Sequence, residues 1–352
     1  MTALVSTSGS ASTRDIVAGD RGRRAFRRRV ALAILVGAAV VLAALSLMVG
    51  RTFYPPGEIL RVVLGEEVPG ASFTVGRLRL PRTALAVVAG FSFGLAGVTF
   101  QTMLRNPLAS PDIIGISSGA SAAATFAIVM LSLDGAGVSV FAVVSGLVVA
   151  LLVYLLSYRG GVAGTRLILV GIGLAAMFKS ATSYFLSRAS EWDHQEAMRW
   201  LTGSLNGATW SGTVPVAVAL VVLVPLLLGQ SRNLNQLALG DDTASALGVR
   251  VERTRLITIV AAVVLIAFAT AAAGPVAFVA FLSGPIAARV VGPTGSLLLP
   301  AAFVGVVLVL VADLVGQYAT GTRYPVGVVT GVLGAPYLIY LIISTNRARG
   351  AL

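Results

Sequence analysis

The sequence predicts an all-α integral membrane protein of about ten transmembrane helices, with both termini on the cytoplasmic side. Three observations carry that expectation. Apolar residues make up 57% of the 352 residues, charged residues only 11%, and the mean hydropathy is +0.91. Apolar runs near the ~20-residue length that crosses a bilayer recur along the chain. Basic residues concentrate in alternate connections between those runs, the bias of cytoplasmic flanks. A large soluble α/β domain, the alternative, gives no reason for such a series of spanning-length runs.

Residues 1–25 are rich in Ser, Thr, Gly and Arg and read as a basic, disordered cytoplasmic tail. The first apolar run, 30–50, is about as long as a full span and lacks a small-residue cleavage site, so it reads as a helix rather than a secretory signal. Further runs follow at 83–104, 113–133, 138–157, 167–187, 212–229, 256–273, 276–291, 297–316 and 326–344. The run 276–291 is short and interrupted by Gly284 and Pro285. These runs form one transmembrane domain, 26–346, closed by a cytoplasmic tail, 347–352. With the N-terminus inside, seventeen of the 26 Lys and Arg residues fall on the cytoplasmic side and eight outside, while Lys179 falls within a span. The longest cytoplasmic connection between spans is then 230–255.

Composition excludes several function classes. With no cysteine there is no disulfide framework, Fe–S cluster or Cys-based zinc site. The single histidine, His194, rules out a His-rich metal site. Glu191 and Asp193 stand beside it, but the segment Ser190–Trp200 reads as a solvated interfacial loop rather than a metal centre. The formal charge of +12 does not point to nucleic acid, because seven arginines lie in the first 29 residues, just before an apolar run, without interleaved aromatics. Trp192, Trp200 and Trp210 fit an interfacial belt, and the basic block fits contact with anionic lipid. No Walker loop or HExxH is present. Asp313 is the one acid in a span, and reads either as a buried counter-ion or, more commonly for such a position, as an interfacial acid satisfied by a helix end. So few intramembrane acids argue against a proton- or sodium-coupled secondary transporter, although backbone carbonyls can bind sodium, and place the energy source on another polypeptide; a secondary active transporter or channel is the different-class alternative. Gly90/Gly94, Gly115/Gly119 and Gly160/Gly164 are small-xxx-small pairs that read as helix packing.

Several stretches then act together: RLPRTALAVVAGFSFGLAGVTFQTMLRNPLASPDIIGISSGA from Arg79, RWLTGSL at Arg199–Leu205, LALGDDTASALGV at Leu237–Val249, GPVAFVAFLSGPIAARVVG at Gly274–Gly292, LLLPAAFVGVVLVLVADLVGQ, and YPVGVVTGVLGAPYLIYLI. In this order and spacing the chain resembles the FecCD-type permeases, the membrane subunits of ABC importers for ferric siderophores, haem and cobalamin. The resemblance covers about residues 30–345. Any one of these elements alone is unspecific; together they are not.

The resemblance implies a permease that makes and breaks no covalent bond. ATP and Mg would be bound by two partner ATPase subunits, and the chain itself would carry no cofactor and no metal. An extracytoplasmic substrate-binding protein would deliver cargo in a bacterial cytoplasmic membrane. A ferric siderophore is the first expectation for cargo, with cobalamin and haem as alternatives. The loop matching Leu237–Val249 would form short coupling helices on the ATPase, with Leu239 and Leu247 as apolar knobs, Gly240 and Gly248 as helix ends, Ala244 between them, and Asp241 or Asp242 capping and charging a helix N-terminus. A solvated connector with a capped turn is the plainer reading. Arg79 and Arg82 would dock acidic groups of the binding protein, the plainer reading being snorkelling arginines. Gln317 stands where the family carries a further basic residue, and Arg323 is the nearby substitute. Asn106 and Leu108, with Gly164 and Thr165, would narrow the inner end of the translocation path; an ordinary turn is the alternative. Ile286 stands where many relatives carry a His within Pro-His-x-x-Arg. That departure implies pairing with a second, non-identical permease.

Overall fold

A computed structural model describes residues 13–112, 114–158, 164–292, 295–319 and 321–349. Its elements are α1 (Thr13–Met48), α2 (Pro56–Val63), a π-helical stretch (Ser72–Arg79) continuous with α3 (Leu80–Met103), α4 (Ile116–Leu131), α5 (Gly135–Ser157), α6 (Gly164–Ser187), α7 (Glu191–Leu201), α8 (Trp210–Gly229), α9 (Ser231–Leu237), α10 (Asp241–Ala246), α11 (Val251–Ala273), α12 (Val279–Val291), α13 (Leu298–Tyr318) and α14 (Val326–Arg349). No strand is present among the described residues. Seven of the helices are long and apolar enough to cross a membrane, and three shorter apolar helices begin at Ile116, Val279 and Val326. Each of the ten apolar runs read from the sequence overlaps one of these.

Two expectations about the segments between runs do not hold. Helix α1 begins at Thr13, so the expected disordered tail is helical from there, while residues 1–12 and 350–352 lie outside the described residues. At 1.5 Å per residue its 36 residues extend ~54 Å, well beyond the ~30 Å hydrocarbon layer, so the arginine-rich first turns project past the apolar half. The segment around His194 is the helix α7 rather than a loop. Ser190 caps it by accepting from the Asp193 amide at 3.2 Å, and its hydroxyl donates to the Asp193 carboxylate at 2.7 Å.

The centre of the fold is α3, which α8, α11, α12 and α13 surround. A seam of small residues makes this packing close. A Cβ on Gly94 would sit 2.3 Å from the Ala301 carbonyl oxygen, and one on Gly305 would sit 2.2 Å from the Gly90 carbonyl oxygen. The two backbones therefore touch with no side chain between them, as helices in lipid must when dispersion rather than hydrophobic collapse drives association. Gly90 faces Gly305 and Gly94 faces Ala301, so α3 and α13 are antiparallel. Gly97 meets Ala280 and Gly284 meets Gln101, so α12 runs parallel to α3. The small-xxx-small reading holds for Gly90/Gly94. Gly115 packs on the α6 backbone and Gly119 on Val149 of α5, while Gly160 lies outside the described residues.

The interruption at Gly284–Pro285 has a specific repair. Pro285 has no N–H, so the carbonyl of Phe281, one turn earlier, loses its partner within α12. The buried side chain of Gln101 on α3 donates to that carbonyl at 2.9 Å. Gly284 makes room, since a Cβ there would lie 1.8 Å from Gln101 Oε1. A broken backbone at this depth survives only when something satisfies it. Gln101→Leu should therefore cost about 1–3 kcal/mol by leaving the Phe281 carbonyl unsatisfied. Thermal unfolding in detergent checks this, and an unchanged midpoint would refute the repair.

Candidate functional site

The antiparallel seams sort the charged residues to two ends of the bundle. One end holds Arg105 after α3, α9 and α10, the start of α11, and Arg289 near the end of α12. The basic stretch of α1 reaches the same end, where Arg28 lies against Gly295. The other end holds Arg79 and Arg82 at the start of α3, the connection after α7, and the end of α13.

At the first end, α9 and α10 form a short double turn between α8 and α11. Gly240 and Gly248 flank α10 with φ of 114° and 86°, which a side chain would oppose, so both glycines bound the helix as expected. Leu234, Leu237, Ala244 and Val249 are buried and fix this unit to the bundle. Leu239 and Leu247 are 65% and 55% exposed and point outward as an apolar pair beside exposed Asp242. A cleft of about 330 Å³ lies alongside, lined by Gln230, Asn233, Arg250, Arg253 and Thr254 among others.

Asp241 does something the sequence did not reveal. Gly240 is the N-cap and no side chain caps α10. The Asp241 carboxylate instead receives Arg255 Nη2 at 2.8 and 2.7 Å and Arg105 Nη2 at 3.2 Å. Arg255 belongs to α11 and its side chain is 10% exposed; Arg105 follows α3. One carboxylate thus ties α10 to the ends of two bundle helices. A negative group in the first turn also suits the helix dipole.

The connection from α3 to α4 is adjacent. Arg105 takes a left-handed backbone with φ of 52°, and Asn106 Oδ1 accepts from the Leu108 amide at 2.9 Å, closing a compact turn that Pro107 enforces. Asn106 and Leu108 are both half-buried. The connection then runs inward, where Ile114 presses on Gly171 of α6. Gly164 and Thr165 open α6, but their side chains lie outside the described residues. Asp112, half-buried in this connection, was not singled out from the sequence. Burial pushes its carboxyl above the usual carboxylate range, opposed by hydrogen bonds from the Ser117 and Ser110 hydroxyls.

At the opposite end the two arginines expected to face a binding protein have partners within the chain. Arg82 donates to Asp313 from Nε at 3.0 and 3.2 Å and from Nη2 at 2.7 Å, and to Asn206 Oδ1 from Nη1 at 2.6 Å. Gln317 adds a bond to Asp313 at 2.7 Å. Asp313 is 3% exposed and is therefore a buried counter-ion, not an acid satisfied by a helix end. Arg79 donates to the carbonyls of Leu47, Met48 and Thr52 at 2.7–3.0 Å, closing the end of α1, and lies over the Tyr54 ring. Arg323 is exposed. Nearby, the Ser204 amide donates to the Ala273 carbonyl at 2.7 Å and the Gly327 amide to the Gly203 carbonyl at 3.0 Å, joining RWLTGSL to the end of α11, just before GPV, and to YPVG. No cluster of three or more His, Asp or Glu residues suited to a metal occurs among the described residues.

The family model of the FecCD transport family matches residues 38–344. The chain is 39% identical over 317 residues to the ferric enterobactin transport system permease protein FepG of Escherichia coli K12, covering 90% of this chain and 96% of that one. It is 34% identical over 330 residues to FepD, the other-named ferric enterobactin transport system permease protein of that organism, covering 93% and 98%. A solved structure described as an inward-facing conformation of a metal-chelate type ABC transporter matches with a TM-score of 0.79 and 27% identity, covering 89% of this chain and 98% of that one.

Proposed function

The chain belongs to the FecCD transport family, and from that premise we propose that it is the membrane permease subunit of an ATP-driven importer for ferric siderophore. The observation that carries this reading is the unit at α9–α10. It offers an exposed apolar pair, Leu239 and Leu247, and is tied by Asp241 to α3 and α11. In the proposed mechanism two ATPase subunits, which bind ATP and Mg, dock on Leu239, Gly240, Asp242, Leu247 and Gly248. ATP binding draws them together, and α10 moves with them. Asp241 passes the displacement to Arg105 and Arg255, and so to the turn at Asn106–Leu108 and to the inner end of α6 with Gly164 and Thr165. The path then opens outward to cargo held by a substrate-binding protein. That protein docks beside Arg323, with Arg79 and Arg82 shaping the mouth from within.

All ten apolar helices cross the bacterial cytoplasmic membrane in this reading, with both termini inside. The partner permease is a different chain. Ile286 in the Pro-His-x-x-Arg position and the existence of two distinct ferric enterobactin permeases, FepG and FepD, support that pairing.

The deciding experiment measures uptake of radiolabelled iron–siderophore and of cobalamin in cells with this gene deleted and then restored. Loss of iron uptake alone, rescued by the gene, is expected. Loss of cobalamin uptake alone replaces the cargo and keeps the mechanism. Transport by the purified chain with no ATPase bound would instead indicate a secondary transporter or channel.

A further inference from the structure

Two spanning helices, α1 and α6, are covered equally little by the rest of the chain. Their sequences differ. The span of α1 is among the most apolar of the seven, whereas that of α6 is the least apolar. Leu167, Gly171, Leu174, Phe178 and Phe185 form the side of α6 turned to the bundle. The opposite side is exposed and mixed: Gly173, Ala176, Ser180, Ser183 and Ser187 interleave with Leu169, Ile172, Met177 and Tyr184, and Lys179 stands at its edge. The serine hydroxyls donate back to their own helix, to Ala176, Lys179 and Tyr184, so lipid could accept them. The ammonium of Lys179 has no such recourse, because a helix offers no free carbonyl in mid-span.

Lys179 also cannot readily escape to the surface. It lies eight residues before Ser187, ~12 Å from that end of α6. Helical side chains lean toward the N-terminus, which for Lys179 is the farther end. No acidic residue pairs with it among the described residues. An intramembrane cation that faces away from its own chain requires water or a counter-charge.

We propose that Lys179 lines the translocation path and meets a negatively charged ferric chelate, so that the permease selects anionic over neutral cargo. This rests on the siderophore reading above. A ferric tris-catecholate is anionic and a ferric tris-hydroxamate is neutral, so the two probe the same path with different charge. The fixed cation attracts the first into the low-dielectric span and gives the second no advantage.

The test has two arms, both in the assembled transporter in cells. In the first, uptake of radiolabelled ferric tris-catecholate should fall about tenfold in Lys179→Gln, fall further in Lys179→Glu, and stay near the parent level in Lys179→Arg, with ferric tris-hydroxamate uptake little changed. Parent-level tris-catecholate uptake by Lys179→Gln and Lys179→Glu would overturn the proposal. The second arm is independent of cargo. Because the chain has no cysteine, Lys179→Cys provides a single thiol. It should react with an anionic methanethiosulfonate at least about tenfold faster than Leu151→Cys on the exposed apolar face of α5, since only water-facing thiolates react. Equal rates would place Lys179 against lipid or in a dry interface and overturn its role. If the parent imports neither chelate while Lys179→Cys still reacts, the siderophore reading fails and the path position stands.

Discussion

Asp241→Arg is expected to reduce import about tenfold or more, with the chain still inserted in the membrane. The substitution removes the carboxylate shared by Arg255 and Arg105 and puts a third guanidinium among them. Arg255 is nearly buried, and its remaining acidic neighbour is Glu252 at 3.6 Å, itself half-exposed. A largely buried cation that loses its closest carboxylate is costly, so α10 should detach from the ends of α3 and α11. Tenfold in rate is only ~1.4 kcal/mol, well within what such a cluster supplies. Uptake, ATPase co-purification and basal ATP hydrolysis should be read together. Hydrolysis that continues while import stops identifies Asp241 as the mechanical link. Parent-rate import by Asp241→Arg with both ATPases bound would refute it. Asp242→Arg is the contrast, because Asp242 is exposed; it should act on ATPase binding itself.

The second large effect lies at the other end. Asp313→Ala should destabilise the chain by about 3–5 kcal/mol, because Arg82, with its side chain only 20% exposed, would keep a charge answered, among the described residues, by Asn206 alone. Arg82→Met combined with Asp313→Leu should recover much of that loss, since apolar residues of similar size commonly replace a buried ion pair at little cost. Membrane yield and detergent melting temperature measure both. A different result, weaker binding-protein affinity in Arg82→Ala at unchanged stability, would return Arg82 to the docking role that the resemblance implies.

The apolar runs were legible because a 20-residue run leaves few alternatives in lipid. The short amphipathic elements were not. α2 and α9 are too brief for a period to emerge, α10 was expected only through the family resemblance, and α7 was passed over although Ser190 and Asp193 spell its cap. The exposed apolar pair Leu239 and Leu247 and the bounding glycines were readable from local chemistry. What joins distant segments was not. Asp313 and Arg82 lie 231 residues apart, and Gln101 and Phe281 lie 180 apart, so nothing local names either partner. A signal did exist for the second pair: a lone glutamine in one span and a proline in another, each incomplete in lipid without the other. Asp241 looked like a cap because its position suits one, and only the fold supplies the two arginines that claim it.

The glycine seam has a consequence for how the protein is made. Helix α3 ends at Met103 and α13 begins at Leu298. At ~5–20 residues per second, ribosomal synthesis separates the two by roughly 10–40 seconds. For that interval the flat glycine face of α3 has no mate and borders lipid or the insertion machinery. Biogenesis must therefore hold an unfinished groove open until the ninth apolar run arrives. A bulky residue at Gly305 would keep that groove from closing, and so spoil a protein whose first three hundred residues had been inserted without error.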